Sequence, residues 1–236
     1  APFKKLYDKR IKGWRMEPSK LGKAPALLSD DDVEEAHDKG KLALINYVND
    51  RPELFPIPRK ELMPEDLFNP NTLTIAFARR FAPYKRALLL FQDLDRLREV
   101  GFEKIQLIFA GPWSPDNTFA NEVIAQLKRY GKMLRAQIRL VIIPNYNLDV
   151  AKLLTQGADV WLNNPQPPME ASGTSGMKAA ANGALNLSIL DGWWPEGYAL
   201  DPLSGWAFGS TELYPGSHEQ DAVELLMKLE EVVECY

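Results

Sequence analysis

Five short apolar runs, bounded by turn residues and separated by stretches with helical spacing, lie within residues 73–190 of this 236-residue chain. No other feature constrains its fold as much. The first run is Leu73, Thr74, Ile75, Ala76, Phe77 and Ala78; it lacks polar alternation, as a strand buried on both faces should. Residues 105–110, 139–143, 158–162 and 184–190 repeat this texture. Between them, residues 86–100 carry Leu90, Leu94 and Leu97 at helical intervals, 119–134 form a second amphipathic stretch, and 150–154 a short third. The alternation predicts an α/β chain with a Rossmann-like parallel sheet and helices on both faces.

Residues 1–70 read as an irregular and helical lead-in. Positions 1–28 are basic and broken by Pro2, Pro18 and Pro25. Ser29 followed by Asp30, Asp31 and Asp32 marks an N-cap and an acidic first turn, with the helix running to about Val48. A Pro-rich linker or surface loop is expected over 51–70. Residues 71–236 read as the sheet domain, closing with aromatic turns at Trp193, Trp194 and Trp206 and a last helix over about 220–233.

In parallel α/β sheets ligands bind outside the carboxyl ends of the strands. Three polar segments, 79–86, 144–149 and 163–178, each follow a predicted strand and so should open on one edge. The first sets Arg79, Arg80, Lys85 and Arg86 around Tyr84. It suits one or two phosphates, since arginine forks match planar oxyanions and lysine adds a mobile charge, or it is a solvated charged turn. In the second, Tyr146 packs against a cofactor or against the core. The third runs Glu170, Ala171, Ser172, Gly173, Thr174, Ser175, Gly176, Met177, Lys178 and enters a helix-forming stretch. Its glycines permit close approach to the main chain, and helix N-termini attract anions. Glu170 could bind sugar hydroxyls, act as a base or be a surface charge. Lys178 could neutralise phosphate, form a Schiff base if burial keeps it neutral, or be a plain helix lysine.

Several classes are disfavoured. A net charge of −4 without a long Lys/Arg run gives no case for nucleic acid. His37 and His218 stand apart with no companion at ligand spacing, so no metal is expected. Neither a GxGxxG fingerprint nor a Walker loop is present. No apolar run approaches the ~20 residues of a membrane span, and the one cysteine, Cys235, points to a reducing compartment, the cytoplasm by default. The sequence opens Ala1, Pro2, Phe3 without an initiator Met, as a piece of a longer chain would.

The stretch from Glu170 to Lys178, with Asn182, Gly183, Ala184, Leu185 and then Asp191 and Gly192, resembles the pyridoxal-phosphate segment of the α-glucan (glycogen, starch or maltodextrin) phosphorylases. Arg79 and Arg80 followed by Tyr84, Lys85 and Arg86 resemble that family's phosphate-binding segment, and Asn145 with Tyr146 a third cofactor contact. Ser175 and Gly176, and the run from Asp191 to Tyr198, look most like the short prokaryotic branch. The resemblance covers roughly residues 30–236. It implies one half of a glycosyltransferase-B fold and a pyridoxal-phosphate-dependent glycosyltransferase of carbohydrate metabolism. The implied reaction is phosphorolysis of terminal α-1,4-glucosidic bonds of glycogen or maltodextrin, releasing α-glucose 1-phosphate.

By that resemblance Lys178 holds pyridoxal 5'-phosphate as a Schiff base, Thr174 contacts its phosphate, and Arg79, Lys85 and Tyr146 complete the cofactor site. Lys85 and Arg80 neutralise two neighbouring phosphates. Glu170, Ser172 and Gly173 bind the reacting glucose, and Tyr84 and Tyr146 line the site, with Lys85, Arg80, Glu170 and Tyr84 forming the catalytic set. The chain departs from the family where Gly111, Pro112 and Trp113 replace the usual Gly-Lys-Ala, and at Asn147, where some relatives carry arginine. The amino-terminal domain that supplies the rest of the cleft is not matched, so poor turnover is expected of the isolated piece, with a homodimer possible for the whole enzyme. The alternatives are a nucleotide-sugar glucosyltransferase of related fold and an inactive phosphorylase-like glucan-binding protein.

Overall fold

The computed structural model describes residues 1–209 and 218–236. Its helices are α1 (Pro2–Arg10), α2 (Ala24–Leu27), α3 (Asp30–Asn49), α4 (Leu94–Gly101), α5 (Thr118–Leu134), α6 (Leu148–Gly157), α7 (Thr174–Ala180), α8 (Trp194–Leu200) and α9 (His218–Cys235). Its strands are β1 (Leu73–Ala78), β2 (Ile105–Ala110), β3 (Arg139–Ile143), β4 (Val160–Asn163), β5 (Leu185–Ile189) and β6 (Gly205–Phe208). They form one sheet in the order β3-β2-β1-β4-β5-β6, every pair parallel. The chain winds outward from β1 to β3, then returns to lay β4 against the other side of β1. That reversal opens a crevice at the carboxyl ends of β1 and β4. The β1–β4 ladder pairs only Ile75 with Val160 and Ala76 with Trp161, so the strands part before their ends.

Successive side chains of β1 point to opposite layers, and both layers are covered, which is why the strand is apolar throughout. Leu73, Ile75 and Phe77 pack with Leu97 of α4, Leu127 of α5 and Leu225, Leu226 and Leu229 of α9. Ala76 and Ala78 pack with Leu44, Ile45 and Val48 of α3, Val150 and Leu154 of α6 and Ala179 of α7. The predicted parallel sheet with helices on both faces is therefore what the chain forms.

α3 reaches this core because glycines let it cross α6 closely. A Cβ on Gly40 would sit 1.9 Å from the Gln156 carbonyl oxygen, and one on Gly157 would sit 2.5 Å from that of Gly40. Glycine costs about 1 kcal/mol inside a helix, but neither backbone can move aside for a methyl group. At the amino edge of the sheet Asp159 accepts from the Thr74 N–H (2.7 Å) and pairs with Lys41 (2.7 Å), while His37 Nε2 lies 2.7 Å from its other oxygen. α3 is thus tied to β1 and β4 by charge as well as packing.

Some local expectations change. Residues 2–10 are helical, with Pro2 in the first turn, where its missing N–H is not needed. The Pro-rich stretch over 51–70 is not a free linker. It folds into short 3-10 turns that bury Leu54, Phe55, Ile57 and Phe68, and Asp66 accepts two hydrogen bonds of 2.6 Å from Arg135. The helix expected from residue 86 begins at Leu94, because Arg86 adopts the left-handed region (φ 50°) and Asp93 supplies the N-cap. The helix α8 and the edge strand β6 stand where aromatic turns were expected. The pairing of β6 with β5 needs no apolar run, since three of its four residues are only partly buried. Among the described residues no helix is long and apolar enough to cross a membrane.

Candidate functional site

The crevice collects charge because β1 and β4 both run into polar loops there. Arg79 extends the β1 ladder, its N–H bonding the Ala110 carbonyl at 2.8 Å, and its guanidinium is buried. The chain then turns through residues 80–85, and Lys85 is buried in turn. The Gln166 N–H donates to the Tyr84 carbonyl at 2.7 Å, coupling this loop to the one after β4. Lys85 Nζ hydrogen-bonds Glu170 Oε2 and lies 4.5 Å from the centre of the Tyr84 ring, a cation–π contact. Arg79 Nη1 is 2.8 Å from the same Glu170 oxygen, yet too poorly aligned to count as a hydrogen bond. Two cations therefore share one carboxylate, leaving a surplus of positive charge in the crevice.

Burial by itself would raise the Glu170 carboxyl, but the hydrogen bond from Lys85 and the charges of Arg79 and Lys85 outweigh it and hold the group below its usual range. Tyr146 arrives from the loop after β3, half-buried. Burial pushes its hydroxyl up against an opposing pull from the Arg79 charge. Arg79, Tyr84, Lys85, Tyr146 and Glu170 thus belong to one cluster assembled from three loops. Arg80 is exposed at its margin.

The Glu170 loop is fixed by its neighbour after β5. The buried carboxylate of Asp191 accepts from the Glu170 N–H (2.9 Å) and the Gly192 N–H (2.8 Å), and the Trp193 N–H donates to the Ser172 carbonyl (2.9 Å). Gly192 has φ +63°, and a Cβ there would meet the Ser172 oxygen at 2.7 Å, so only glycine fits. Gly173, at φ +77°, turns the loop into α7. Ser172 is partly buried, whereas Thr174 and Lys178 are exposed on α7. Among the described residues no hydrogen bond or ion pair engages the side chains of Arg80, Ser172, Thr174 or Lys178.

Arg86, the fourth cation of its segment, has a different task. Its guanidinium is buried and spent on protein groups: the Asn164 carbonyl (3.0 Å), the Pro165 carbonyl (2.9 Å) and Asp221 of α9 (2.5 Å). The Asn164 side chain returns a hydrogen bond to the Arg86 carbonyl at 2.9 Å. Arg86 clamps the site loops to α9, with each of its three side-chain nitrogens committed to a protein group.

Buried polar atoms without a hydrogen bond lie at the carboxyl ends of β1 and β4, namely Arg79 Nη1, which only faces Glu170, and the amide oxygens of Asn163 and Asn164. Buried groups of this kind need partners. The donors at the crevice, Arg79 Nη1 with the unengaged Thr174 hydroxyl and Lys178 amine, fit a phosphorylated cofactor bearing a carbonyl carbon. Asn163, Asn164 and Asp191 were not picked out as site residues. The detectable signal was the break from Trp161 and Leu162 to two adjacent asparagines at the end of a buried strand.

The Glu170 carboxylate makes a testable contribution to stability. A carboxyl held low in the folded state stabilises at pH values above its unfolded pKa of about 4.3, and the benefit disappears as pH falls through the folded value. Glu170→Gln is therefore expected to lower the urea midpoint at pH 7, with the gap to the parent protein closing as pH drops below about 4. Equal midpoints at pH 7 would show that the two cations do not depend on Glu170.

A family model described as carbohydrate phosphorylase matches residues 3–194. Glycogen phosphorylase of Aquifex aeolicus is 39% identical over 89% of this chain, and maltodextrin phosphorylase of Thermococcus litoralis is 38% identical over 99%. Glycogen phosphorylase of Mycobacterium tuberculosis is 44% identical over 66%. The aligned regions span 31%, 29% and 18% of those proteins, so the chain corresponds to less than a third of their length. With its parallel sheet, its crevice between β1 and β4 and this match over most of its residues, the chain belongs to the carbohydrate phosphorylase family.

Proposed function

We propose that this chain is the cofactor- and phosphate-binding half of an α-glucan phosphorylase. The enzyme would cleave the terminal α-1,4-glucosidic bond of glycogen or maltodextrin with inorganic phosphate and release α-glucose 1-phosphate. The observation that carries this reading is the convergence of Arg79 and Lys85 on a single Glu170 oxygen in the crevice, on the loop that leads into the helix of Lys178, whose amine has no partner among the described residues. A nucleotide-sugar glucosyltransferase would have no use for Lys178.

Pyridoxal 5'-phosphate would be held through Lys178, whose amine can bond a carbonyl carbon as an arginine cannot. Thr174, Tyr146, Arg79 and Lys85 would complete its site. When bound, the cofactor supplies a phosphate that can exchange a proton with the substrate phosphate. The remaining work falls to the protein. Two phosphates repel unless cations stand between them, and Lys85 and Arg80 supply that charge. Lys85 has three donors and Arg79 five, so both can hold Glu170 and a phosphate oxygen together. Glu170, Ser172 and the Gly173 backbone would grip the hydroxyls of the reacting glucose. Fixed in place by Asp191 and Trp193, they need no rearrangement as charge develops on the sugar. The rings of Tyr84 and Tyr146 would wall the site against water, strengthening every cation–phosphate contact within it. The other wall of the cleft and most of the glucan path would come from the remainder of the enzyme, working in the cytoplasm.

The full-length protein, given maltodextrin and inorganic phosphate, is expected to form glucose 1-phosphate only when pyridoxal phosphate has been supplied. Formation of free glucose without phosphate uptake would contradict the reading.

A further inference from the structure

Asn186 is a buried polar residue that neither the charged cluster nor the apolar core accounts for. It is the second residue of β5 and only 1% exposed. Leu187 and Ile189 face the layer of α4, α5 and α9, so by the alternation of a strand Asn186 faces the opposite layer, where α7 lies. Its Nδ2 donates to the Gly176 carbonyl of α7 at 3.4 Å, while its Oδ1 is buried without a hydrogen bond. Only the amide nitrogen can donate to a carbonyl, which settles the way the side chain is turned. An apolar residue would avoid the cost of burying that oxygen, so packing alone gives no reason for asparagine here.

The geometry of α7 gives the contact a use. Thr174 and Lys178, four residues apart, share the exposed face of the helix, whereas Gly176, two residues from each, is buried on the inner one. A Cβ on Gly176 would lie 2.6 Å from Asn186 Oδ1 and 3.0 Å from Trp193 Nε1, so helix, strand and indole meet with no room for a methyl group. Asn186 cannot retreat. Its main chain is laddered to Trp161 of β4 and Gly205 of β6, and a Cβ on Gly205 would sit 2.1 Å from the Asn186 carbonyl oxygen. The ends of this seven-residue helix are tethered through main-chain carbonyls, Ser172 just before it by the Trp193 N–H (2.9 Å) and Ala181 just after it by the Tyr7 hydroxyl (3.0 Å). Those tethers fix where α7 lies, and the contact at Gly176 between them fixes its rotation about its own axis.

We infer that Asn186 is a positioning residue: by holding the Gly176 carbonyl it sets the rotation of α7, and with it the direction in which Lys178 and Thr174 are presented to a phosphorylated carbonyl cofactor. Neither of those side chains has a hydrogen bond or ion pair among the described residues that would set its direction instead. The inference rests on the phosphorylase reading above, which makes Lys178 and Thr174 cofactor contacts.

The test uses the full-length protein and pyridoxal phosphate itself. Asn186→Leu keeps the branched shape without the donor, and Gly176→Ala forces the helix away from the strand without touching Asn186. In both variants the dissociation constant for pyridoxal phosphate, measured by equilibrium dialysis, is expected to rise about tenfold, as displacing a positioned group does. Borohydride labelling of the Lys178 peptide, at a cofactor concentration that half-labels the parent, should fall with it. The urea midpoint of cofactor-free Asn186→Leu should match or exceed that of the parent, because a buried oxygen without a partner has been removed. A residue that only supports the fold would give the reverse, a lower midpoint with cofactor affinity unchanged, and that result overturns the inference. Unchanged affinity in Gly176→Ala overturns it too, which keeps the test decisive if the leucine variant does not fold. Equal labelling of Lys178 in the parent and both variants would remove the role of Asn186 and leave the phosphorylase reading standing. A parent protein whose Lys178 takes no label would remove that reading, and the inference with it.

Discussion

Replacing Lys178 with alanine in the full-length protein is expected to lower glucose 1-phosphate formation by about 10³-fold or more, the scale seen when one member of an interdependent catalytic group is removed. The variant should also emerge from gel filtration without pyridoxal phosphate, a readout independent of turnover. Lys178→Arg keeps the charge but cannot bond a carbonyl, so it should fail equally; if arginine restored activity, Lys178 would be acting only as a cation. The fold should tolerate both changes. Lys178 is exposed on α7 and its amine has no hydrogen bond or ion pair among the described residues, and surface substitutions of that sort usually shift stability by no more than about 0.5 kcal/mol.

The opposite pattern is expected at Asp221. Asp221→Ala should destabilise the protein by about 3–5 kcal/mol, the cost of stranding a charge whose buried partner has been removed. Both side chains are nearly inaccessible, 6% exposed for Arg86 and 2% for Asp221. The carbonyls of Asn164 and Pro165 would still bond Arg86, which favours the lower half of that range. For a chain of this size each kcal/mol moves the melting temperature by about 2–4 °C. The site should suffer as well, because Arg86 adjoins Lys85 and anchors the loop after β4. Urea unfolding measures the loss, and a double-mutant cycle with Arg86→Met should reveal strong coupling between the two positions. A change below about 0.5 kcal/mol for Asp221→Ala would mean that the pair is dispensable.

Arg86 also marks a limit of what the sequence discloses. From sequence, Arg79, Arg80, Lys85 and Arg86 are four similar cations after a buried strand. The structure gives them three situations: Arg79 and Lys85 face Glu170, Arg80 is exposed, and Arg86 is turned away by a left-handed backbone toward a carboxylate 135 residues further along. No local pattern announces a partner so remote. The central strands were far more legible. β1, β2 and β3 have the bounds their apolar runs suggested, since strands covered on both faces tolerate almost no polar residue. β6 escaped notice because an edge strand with partly exposed residues has no such requirement. α1 and the buried turns of residues 51–70 escaped because prolines read as interruptions, although proline suits the first turn of a helix.

The expectation that three polar segments share one edge followed from topology, and the structure does unite residues from all three. Arg79, Lys85, Tyr146 and Glu170 meet at the crevice. What topology could not supply is the support beneath them. Asp191 holds the Glu170 backbone, and Gly192 is needed because the Ser172 carbonyl lies where a side chain would go. In the sequence these two residues enter only as part of the family resemblance, with no role of their own. Their effect on Glu170 arises only once β4 and β5 lie side by side.

On the proposed reading Lys178 anchors the cofactor. The direct measurement is borohydride reduction of the full-length protein after loading with pyridoxal phosphate, followed by peptide mass mapping. A pyridoxyl group confined to the peptide containing Lys178 is the expected result. A Lys178 peptide recovered unmodified, or a label on Lys85 instead, would contradict it.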